Sequence, residues 1–152
     1  VLPECGRSDV SAAAHLSNLK ASNLPVMDGV LQGGLADPYV EVTVLPLDAG
    51  GCPVRTDVVP KELNPAWATP LVAPIRVTAK AVVGVHVLLT VKDRDIGSSD
   101  DVIGTVCLPL ARAVKTAGER QRYDFDEPLF HNGVQRGSLA GTLEFIVSEA
   151  VA

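Results

Sequence analysis

One stretch decides the fold: Pro38-Tyr39-Val40-Glu41-Val42-Thr43-Val44-Leu45. Valine recurs at every second position of it, and a period of two is that of a β-strand with one buried face. Other apolar-rich runs follow along the chain, separated by clusters of Pro, Gly, Asn and Asp, which favour turns. The pattern predicts an all-β fold, an eight-stranded antiparallel β-sandwich.

The predicted strands are spread over the whole chain. They cover His15–Asn23, Pro38–Leu45, Val54–Val59, Ala68–Val77, Val83–Lys92, Val102–Pro109, Tyr123–Asp126 and Gly141–Ser148. One helix is predicted, over Leu110–Ala117, where Gly118 would end it. Two dipeptides, Asn64-Pro65 and Asn132-Gly133, indicate turns. We expect one domain over residues 12–150, preceded by a tail over residues 1–11.

Composition excludes several classes of protein. The 152 residues carry 18 acidic and 13 basic side chains, a formal net charge of −5, which argues against nucleic-acid binding through phosphate contacts. The most apolar stretch, Ala79–Val91, is too short for a transmembrane helix. The cysteines Cys5, Cys52 and Cys107 are odd in number and widely spaced, so we expect free thiols in a reducing compartment.

The acidic charge is concentrated in two segments. Asp28 and Asp37 belong to the first, between predicted strands one and two, and Asp93, Asp95, Asp100 and Asp101 to the second, between strands five and six. Four strands separate the segments, and an even number of reversals returns an antiparallel chain to the same end. Both segments are therefore predicted to share one rim of the sandwich. Without these six aspartates the net charge is +1.

Carboxylates crowded on one rim favour a bound cation. Two of them about 4 Å apart repel by roughly 4 kcal/mol at an effective dielectric near 20, unless one is protonated or a cation lies between them. Calcium accepts oxygen ligands in flexible geometry, and Asp93 and Asp95, two apart in an extended segment, project to one side. Zinc and copper are disfavoured because neither segment contains His or Cys. The alternative is that Asp and Ser are simply common in turns.

Three motifs resemble those of the C2 domain, a calcium- and phospholipid-binding β-sandwich. They are Asn23-Leu24-Pro25-Val26-Met27-Asp28 with Ala36-Asp37-Pro38-Tyr39-Val40, then Arg55-Thr56 with Leu63-Asn64-Pro65-Ala66-Trp67, then Leu89-Thr90-Val91-Lys92-Asp93-Arg94-Asp95 with Asp101-Val102-Ile103-Gly104. They occur in the order of the family. The resemblance implies a Greek-key sandwich with calcium-binding loops at one end. The order of its first and last strands resembles the permuted, type II topology.

The resemblance also implies a ligand set for two or three Ca²⁺ ions. The matching groups are the carboxylates of Asp28, Asp37, Asp93, Asp95 and Asp101, with Asp100 as the alternate to Asp101, together with Ser98 and the backbone carbonyls of Met27 and Arg94. Two features depart from the family. Asp28 and Asp37 stand further apart than usual, so Asp28 is the least secure ligand. The strand before Leu-Asn-Pro lacks the lysine cluster that binds phosphoinositide in many members.

The implied function is calcium-dependent binding to anionic phospholipid membranes, as a membrane-targeting module located peripherally at the cytosolic face. Bound Ca²⁺ would reverse the sign of the rim, and lipid oxygens would complete its coordination. Val30, Leu31 and Ile96 are the loop residues expected to contact the membrane. The alternative is a C2 scaffold for protein–protein interaction, calcium-independent or with structurally bound calcium, because the first loop is expanded and the lysine cluster is missing.

Catalysis is not expected from this segment. His15, His86 and His131 are scattered, and neither a Gly-x-Ser-x-Gly elbow nor an HExxH helix occurs. Any catalysis would lie in other parts of a parent protein. The expected partners are the membrane surface and a protein rather than nucleic acid, and the domain is expected to be a monomer.

Overall fold

The fold consists of antiparallel β-strands. A computed structural model describes residues 12–27, 35–45, 50, 52–75, 85–109 and 120–147. Its strands are β1 Ala12–Ser22, β2 Pro38–Leu45, β3 Val54–Arg55, β4 Ala66–Trp67, β5 Leu71–Ile75, β6 His86–Asp93, β7 Asp101–Pro109, β8 Arg120–His131 and β9 Val134–Val147. The predicted all-β antiparallel class is confirmed. The helix predicted over Leu110–Ala117 lies outside the described residues.

One sheet carries all of these strands and curls on itself. Its hydrogen-bonded order is β3-β2-β6-β7-β8-β9-β1-β4, and β5 pairs with β1 beside this path. Strand β5 also contacts β2 and β3 at the other end of the order, so the two ends of the sheet face each other. The core lies between these inward faces, which bury residues such as Val42, Leu89, Leu143 and Phe145 completely or nearly so.

A bulge in β1 keeps both halves of that strand facing the core. The strand buries every second residue as far as Leu16, and the alternation resumes at Leu19 rather than at position 18. The register against β9 shifts between Ser17 and Lys20, and Asn18 adopts a positive φ of 54°. The buried residues Leu16 and Leu19 are three positions apart, which in a regular strand would place them on opposite faces. The extra residue of the bulge returns Leu19 to the core face.

Strands β8 and β9 form a hairpin that is longer than predicted. The sequence indicated only Tyr123–Asp126 and Gly141–Ser148, whereas the ladder runs from Arg120 to the turn and back to Ile146. The predicted turn at Asn132-Gly133 is found, with φ of 51° and 76°. Two consecutive positive φ values define the two-residue turn whose twist matches paired strands, and Asn-Gly is its favoured sequence.

The middle of the chain is more finely divided than expected. Within the predicted strand Ala68–Val77, the described residues form β5 over Leu71–Ile75, and Ala66–Trp67 pairs separately with β1 as β4. Position 54 begins β3, but that strand is only two residues long. These short strands raise the count to nine within the described residues, against the eight predicted.

The cysteines do not share one state. Cys52 is disulfide-bonded, whereas Cys107 is a free thiol on an exposed position of β7. The expectation of three free thiols is therefore wrong at Cys52. Cys5 lies outside the described residues.

The ends of three strands meet at one edge of the sheet. Pro38 at the start of β2 pairs with Asp93 at the end of β6, and Asp93 also pairs with Asp101 at the start of β7. Antiparallel pairing of neighbouring strands thus brings both predicted acidic segments to the same rim, as far as the described residues extend.

A close contact between β7 and β8 supports a prediction about stability. A Cβ on Gly104 would lie 2.8 Å from Leu129 Cβ. Because this contact is between two strands of the sheet, neither side can yield easily. We expect Gly104→Ala to lower the free energy of unfolding by about 1–3 kcal/mol in urea denaturation. Cys107→Ala, at an exposed position of the same strand, is the control; equal stability of wild type and Gly104→Ala would contradict the packing.

Candidate metal centre

Three carboxylates converge where β6 gives way to β7. Asp93 is the last residue of β6, Asp101 is the first of β7, and the two are cross-strand partners. Asp95 follows two residues after the end of β6. Each contributes an oxygen to a group in which all three atoms lie within 4.8 Å of one another. We call Asp93, Asp95 and Asp101 the carboxylate trio.

The buried member of the trio, Asp93, is held by the first loop, which is the segment between β1 and β2. Asp93 is 0% exposed, and its Oδ1 accepts a hydrogen bond from the backbone N–H of Asp37 at 2.8 Å. The backbone N–H of Arg94 in turn donates to the carbonyl oxygen of Asp37 at 3.0 Å. A hydrogen bond to a charged acceptor contributes more than one between neutral groups. This pair of bonds fixes the end of the first loop against the trio.

The side chain of Asp37 faces the turn at Lys61, between β3 and β4. Its Oδ1 accepts the backbone N–H of Lys61 at 2.9 Å, where Lys61 adopts a positive φ of 54°. Asp37 also lines an open cleft of about 360 Å³ together with Asp95 and Ser98. The carboxylate of Asp37 is therefore next to the trio without belonging to it, and one of its oxygens is shared with a backbone turn.

Asp100 is engaged away from the trio. Its Oδ2 accepts the phenol of Tyr39 at 2.5 Å, and its Oδ1 accepts the backbone N–H of Asp95 at 3.0 Å. These bonds, the phenol first, lower the pKa of Asp100. Burial, followed by the contact with Asp100, raises the pKa of Tyr39 to about 12. Of the two neighbouring carboxylates that the sequence left open, the structure brings Asp101 into the trio and holds Asp100 against Tyr39.

The Leu63-Asn64-Pro65 motif fixes the residues at which the chain leaves β1 and enters the first loop. Asn64 Oδ1 accepts the backbone N–H of Asn23 at 2.9 Å, and the N–H of Leu24 donates to the carbonyl of Leu63 at 3.0 Å. Met27 lies a few residues further on and packs partly against the core. The next residue, Asp28, lies outside the described residues, so its predicted role stays a prediction.

The loop between β6 and β7 presents an apolar tip. Ile96 is 93% exposed and is followed by Gly97, which has a φ of 83°. Ser98 is exposed on the same loop. The other two residues predicted to contact a membrane, Val30 and Leu31, lie outside the described residues.

The trio is electrostatically unfavourable without a counter-charge. Two ionised carboxylates at the trio's spacing repel by about 3 kcal/mol at an effective dielectric of 20. Asp93 is fully buried, so water screens it poorly. An arrangement made of carboxylate oxygens with a hydroxyl nearby suits a hard divalent cation that tolerates irregular geometry, and Ca²⁺ is the cation of that kind.

Comparison with known proteins gives the family. A C2 domain family model matches residues 13–125. Rat synaptotagmin-11 is 34% identical over 128 residues, which cover 83% of this chain and 28% of that protein. Myoferlin of Xenopus tropicalis is 31% identical over 110 residues, which cover 72% of this chain and 5% of that protein. The chain thus spans little more than a quarter of the first relative.

The fold agrees with this result. A C2 domain of plant extended synaptotagmin 1 superposes with a TM-score of 0.67 at 22% identity, covering 96% of this chain and 100% of that domain. This chain belongs to the C2 domain family, and the resemblance seen in its motifs is confirmed. A C2 domain is a non-catalytic module. Within the described residues, no helix is long and apolar enough to cross a membrane.

Substitutions at Asp37 separate its structural contact from any role as a ligand. In the presence of a chelator, we expect Asp37→Ala to lower the free energy of unfolding by about 0.5–1.5 kcal/mol, because the N–H of Lys61 loses its acceptor. Asp37→Asn keeps an oxygen at that position and should cost less. Urea denaturation measures both, and an equal loss in the two variants would contradict the assigned contact.

Proposed function

We propose that this C2 domain binds anionic phospholipid membranes in a calcium-dependent manner and acts as a membrane-targeting module. The observation that supports this best is the carboxylate trio, whose oxygens approach within 4.8 Å beside the exposed tip of Ile96. The trio supplies the central ligands. Asp37, Ser98 and the carbonyl of Arg94 flank it and complete the described part of the proposed set, to which the sequence adds Asp28 and the carbonyl of Met27.

Charge explains why calcium would act as the switch. The chain carries a formal charge of −5, and most of this excess lies in the acidic rim. An empty rim repels an anionic surface. Each Ca²⁺ adds two positive charges, so two ions would bring the total to −1 and three would bring it to +1. Lipid phosphates and phosphatidylserine carboxylates can then complete the coordination of the metal.

The exposed isoleucine offers a second contribution to binding. Ile96 lies one residue after Asp95, so a metal held by the trio would bring this side chain close to the lipid surface. Transfer of a fully exposed Ile side chain into an apolar environment contributes roughly 1.5–3 kcal/mol. The structure thus combines a charge-dependent contact with an apolar one on a single loop.

The wider setting is proposed on the same grounds. We propose that residues 12–150 form one monomeric domain, and that any catalysis would lie in other parts of a parent protein. A peripheral position at the cytosolic membrane face suits a domain that responds to calcium. The disulfide at Cys52 counts against a reducing compartment. Thiol labelling of the native protein distinguishes the two settings: a free Cys52 thiol would suit the reducing cytosol, and a disulfide at Cys52 would not.

Loss of two trio carboxylates should abolish the response to calcium. We expect wild type to co-sediment with phosphatidylserine-containing vesicles in calcium and to stay in solution with chelator, because lipid anions need the metal. Asp93→Asn combined with Asp95→Asn should remove both this difference and the rise in melting temperature on adding calcium. Asp126→Asn, which removes an exposed carboxylate on β8, is the matched control and should behave as wild type.

Two outcomes would contradict the proposal. Equal sedimentation of wild type in calcium and in chelator would refute calcium-dependent membrane binding. A calcium-induced melting shift that survives in the double variant would refute the assignment of the trio. A domain that shows no calcium heat in calorimetry and no effect of lipid would instead be a protein-interaction scaffold.

The apolar tip should affect membrane binding without affecting calcium binding. We expect Ile96→Ser to weaken vesicle binding in calcium by about 10-fold or more, as the transfer free energy of the side chain implies. Its calcium affinity without lipid should match that of wild type. Val72→Ser is the control. Val72 is also exposed, but it lies on β5 and pairs with His15 near the start of β1, away from the acidic rim. Equal losses in the two variants would exclude a specific insertion of Ile96.

A further inference from the structure

A buried tyrosine reaches the loop that carries the metal-binding carboxylates. Tyr39 is only 2% exposed and belongs to β2, yet its hydroxyl donates to Asp100, 61 residues away in sequence. The guanidinium of Arg55 lies over the Tyr39 ring, 5.1 Å from the centroid. Burial and this stacking leave the ring little freedom, so its hydroxyl occupies one place.

Asp100 connects that fixed hydroxyl to the backbone of Asp95. One oxygen of Asp100 accepts the phenol, and the other accepts the N–H of Asp95 at 3.0 Å. The carboxylate of Asp100 therefore bridges the loop between β6 and β7, because it bonds a backbone group five positions earlier. Within the closed segment, residues 96–99 are exposed, and a Cβ added at Gly97, which has a positive φ, would meet nothing within 4 Å.

We propose that Tyr39 and Asp100 are positioning residues of the calcium site: the phenol–carboxylate contact orients the backbone at Asp95, so that the trio is assembled before the metal arrives. The same contact keeps Asp100 out of the coordination sphere and leaves Asp101 as the ligand. This inference rests on the proposed function, since it concerns the same site.

Two physical effects favour the arrangement. A loop that is already ordered loses less conformational freedom when it binds its ligand, so preorganisation raises affinity. In addition, Asp100 would otherwise be another acidic group beside three that repel one another. Hydrogen bonds to both of its oxygens hold it where it is.

Three single variants and one double variant test the proposal. Calorimetry without lipid gives calcium affinity, and the luminescence lifetime of bound Tb³⁺ in H₂O and D₂O gives the number of water molecules on the metal. Tyr39→Phe keeps the ring under Arg55 and removes only the hydroxyl. We expect Tyr39→Phe and Asp100→Asn each to weaken calcium binding about 10-fold, the scale of a hydrogen bond to a charged group, with no change in the water count.

The double variant and Asp101→Asn provide the contrast. Because both residues act through one contact, Tyr39→Phe combined with Asp100→Asn should bind calcium no more weakly than the weaker single variant. Asp101→Asn should instead raise the number of water molecules on Tb³⁺, because a ligand has been lost. A higher water count in Asp100→Asn would overturn the proposal, since Asp100 would then be a ligand. Additive losses in the double variant would also overturn it.

A measurement without metal separates this inference from the proposed function. In chelator, hydrogen exchange followed by NMR should show faster exchange of the Asp95 amide in Tyr39→Phe and in Asp100→Asn than in wild type. Unchanged exchange would overturn the positioning role whatever the protein binds. If wild type bound neither calcium nor Tb³⁺ while the exchange result held, the proposed function would fail and the loop contact would stand.

Discussion

Three carboxylates meet where β6 ends and β7 begins, and the surrounding structure holds them together against their repulsion. Asp93 and Asp101 are ladder partners, so the pairing of two strands places like charges side by side. Asp93 is also fully buried, where a charge is costly unless it is compensated. A cation bound among the three carboxylates would offset this repulsion.

The contacts around the trio come from three separate parts of the chain. The backbone of Asp37 binds Asp93, the side chain of Asp37 holds the turn at Lys61, and Asp100 joins Tyr39 to the loop between β6 and β7. Each is a polar contact between a loop and a strand end or another loop. The strands of the sheet have fixed positions, and hydrogen bonds anchor the loops to them. Loops are usually more mobile than strands, and this anchoring lets them hold a site with defined geometry.

The sequence predicted the fold class and the rim because both depend on local periodicity and on antiparallel connections. Val40, Val42 and Val44 repeat with the period of a strand. Asp93 and Asp95, two apart in sequence, bring their carboxylates into one cluster in the structure. The length of the β8–β9 hairpin was missed, because the polar Gln121 occupies a buried position of β8 and the register shifts between Pro128 and Phe130, which interrupts the alternation. The contact of Tyr39 with Asp100 joins distant segments, and only tertiary structure reveals it.

A crystal structure of the domain grown with calcium tests the central claim most directly. The account predicts an ion at the trio, with oxygens of Asp93, Asp95 and Asp101 at roughly 2.3–2.6 Å from it, as Ca²⁺ requires. It also predicts that Asp100 keeps its bond to Tyr39 in that structure. An empty trio at saturating calcium, or an ion held by Asp100 in place of Asp101, would contradict it.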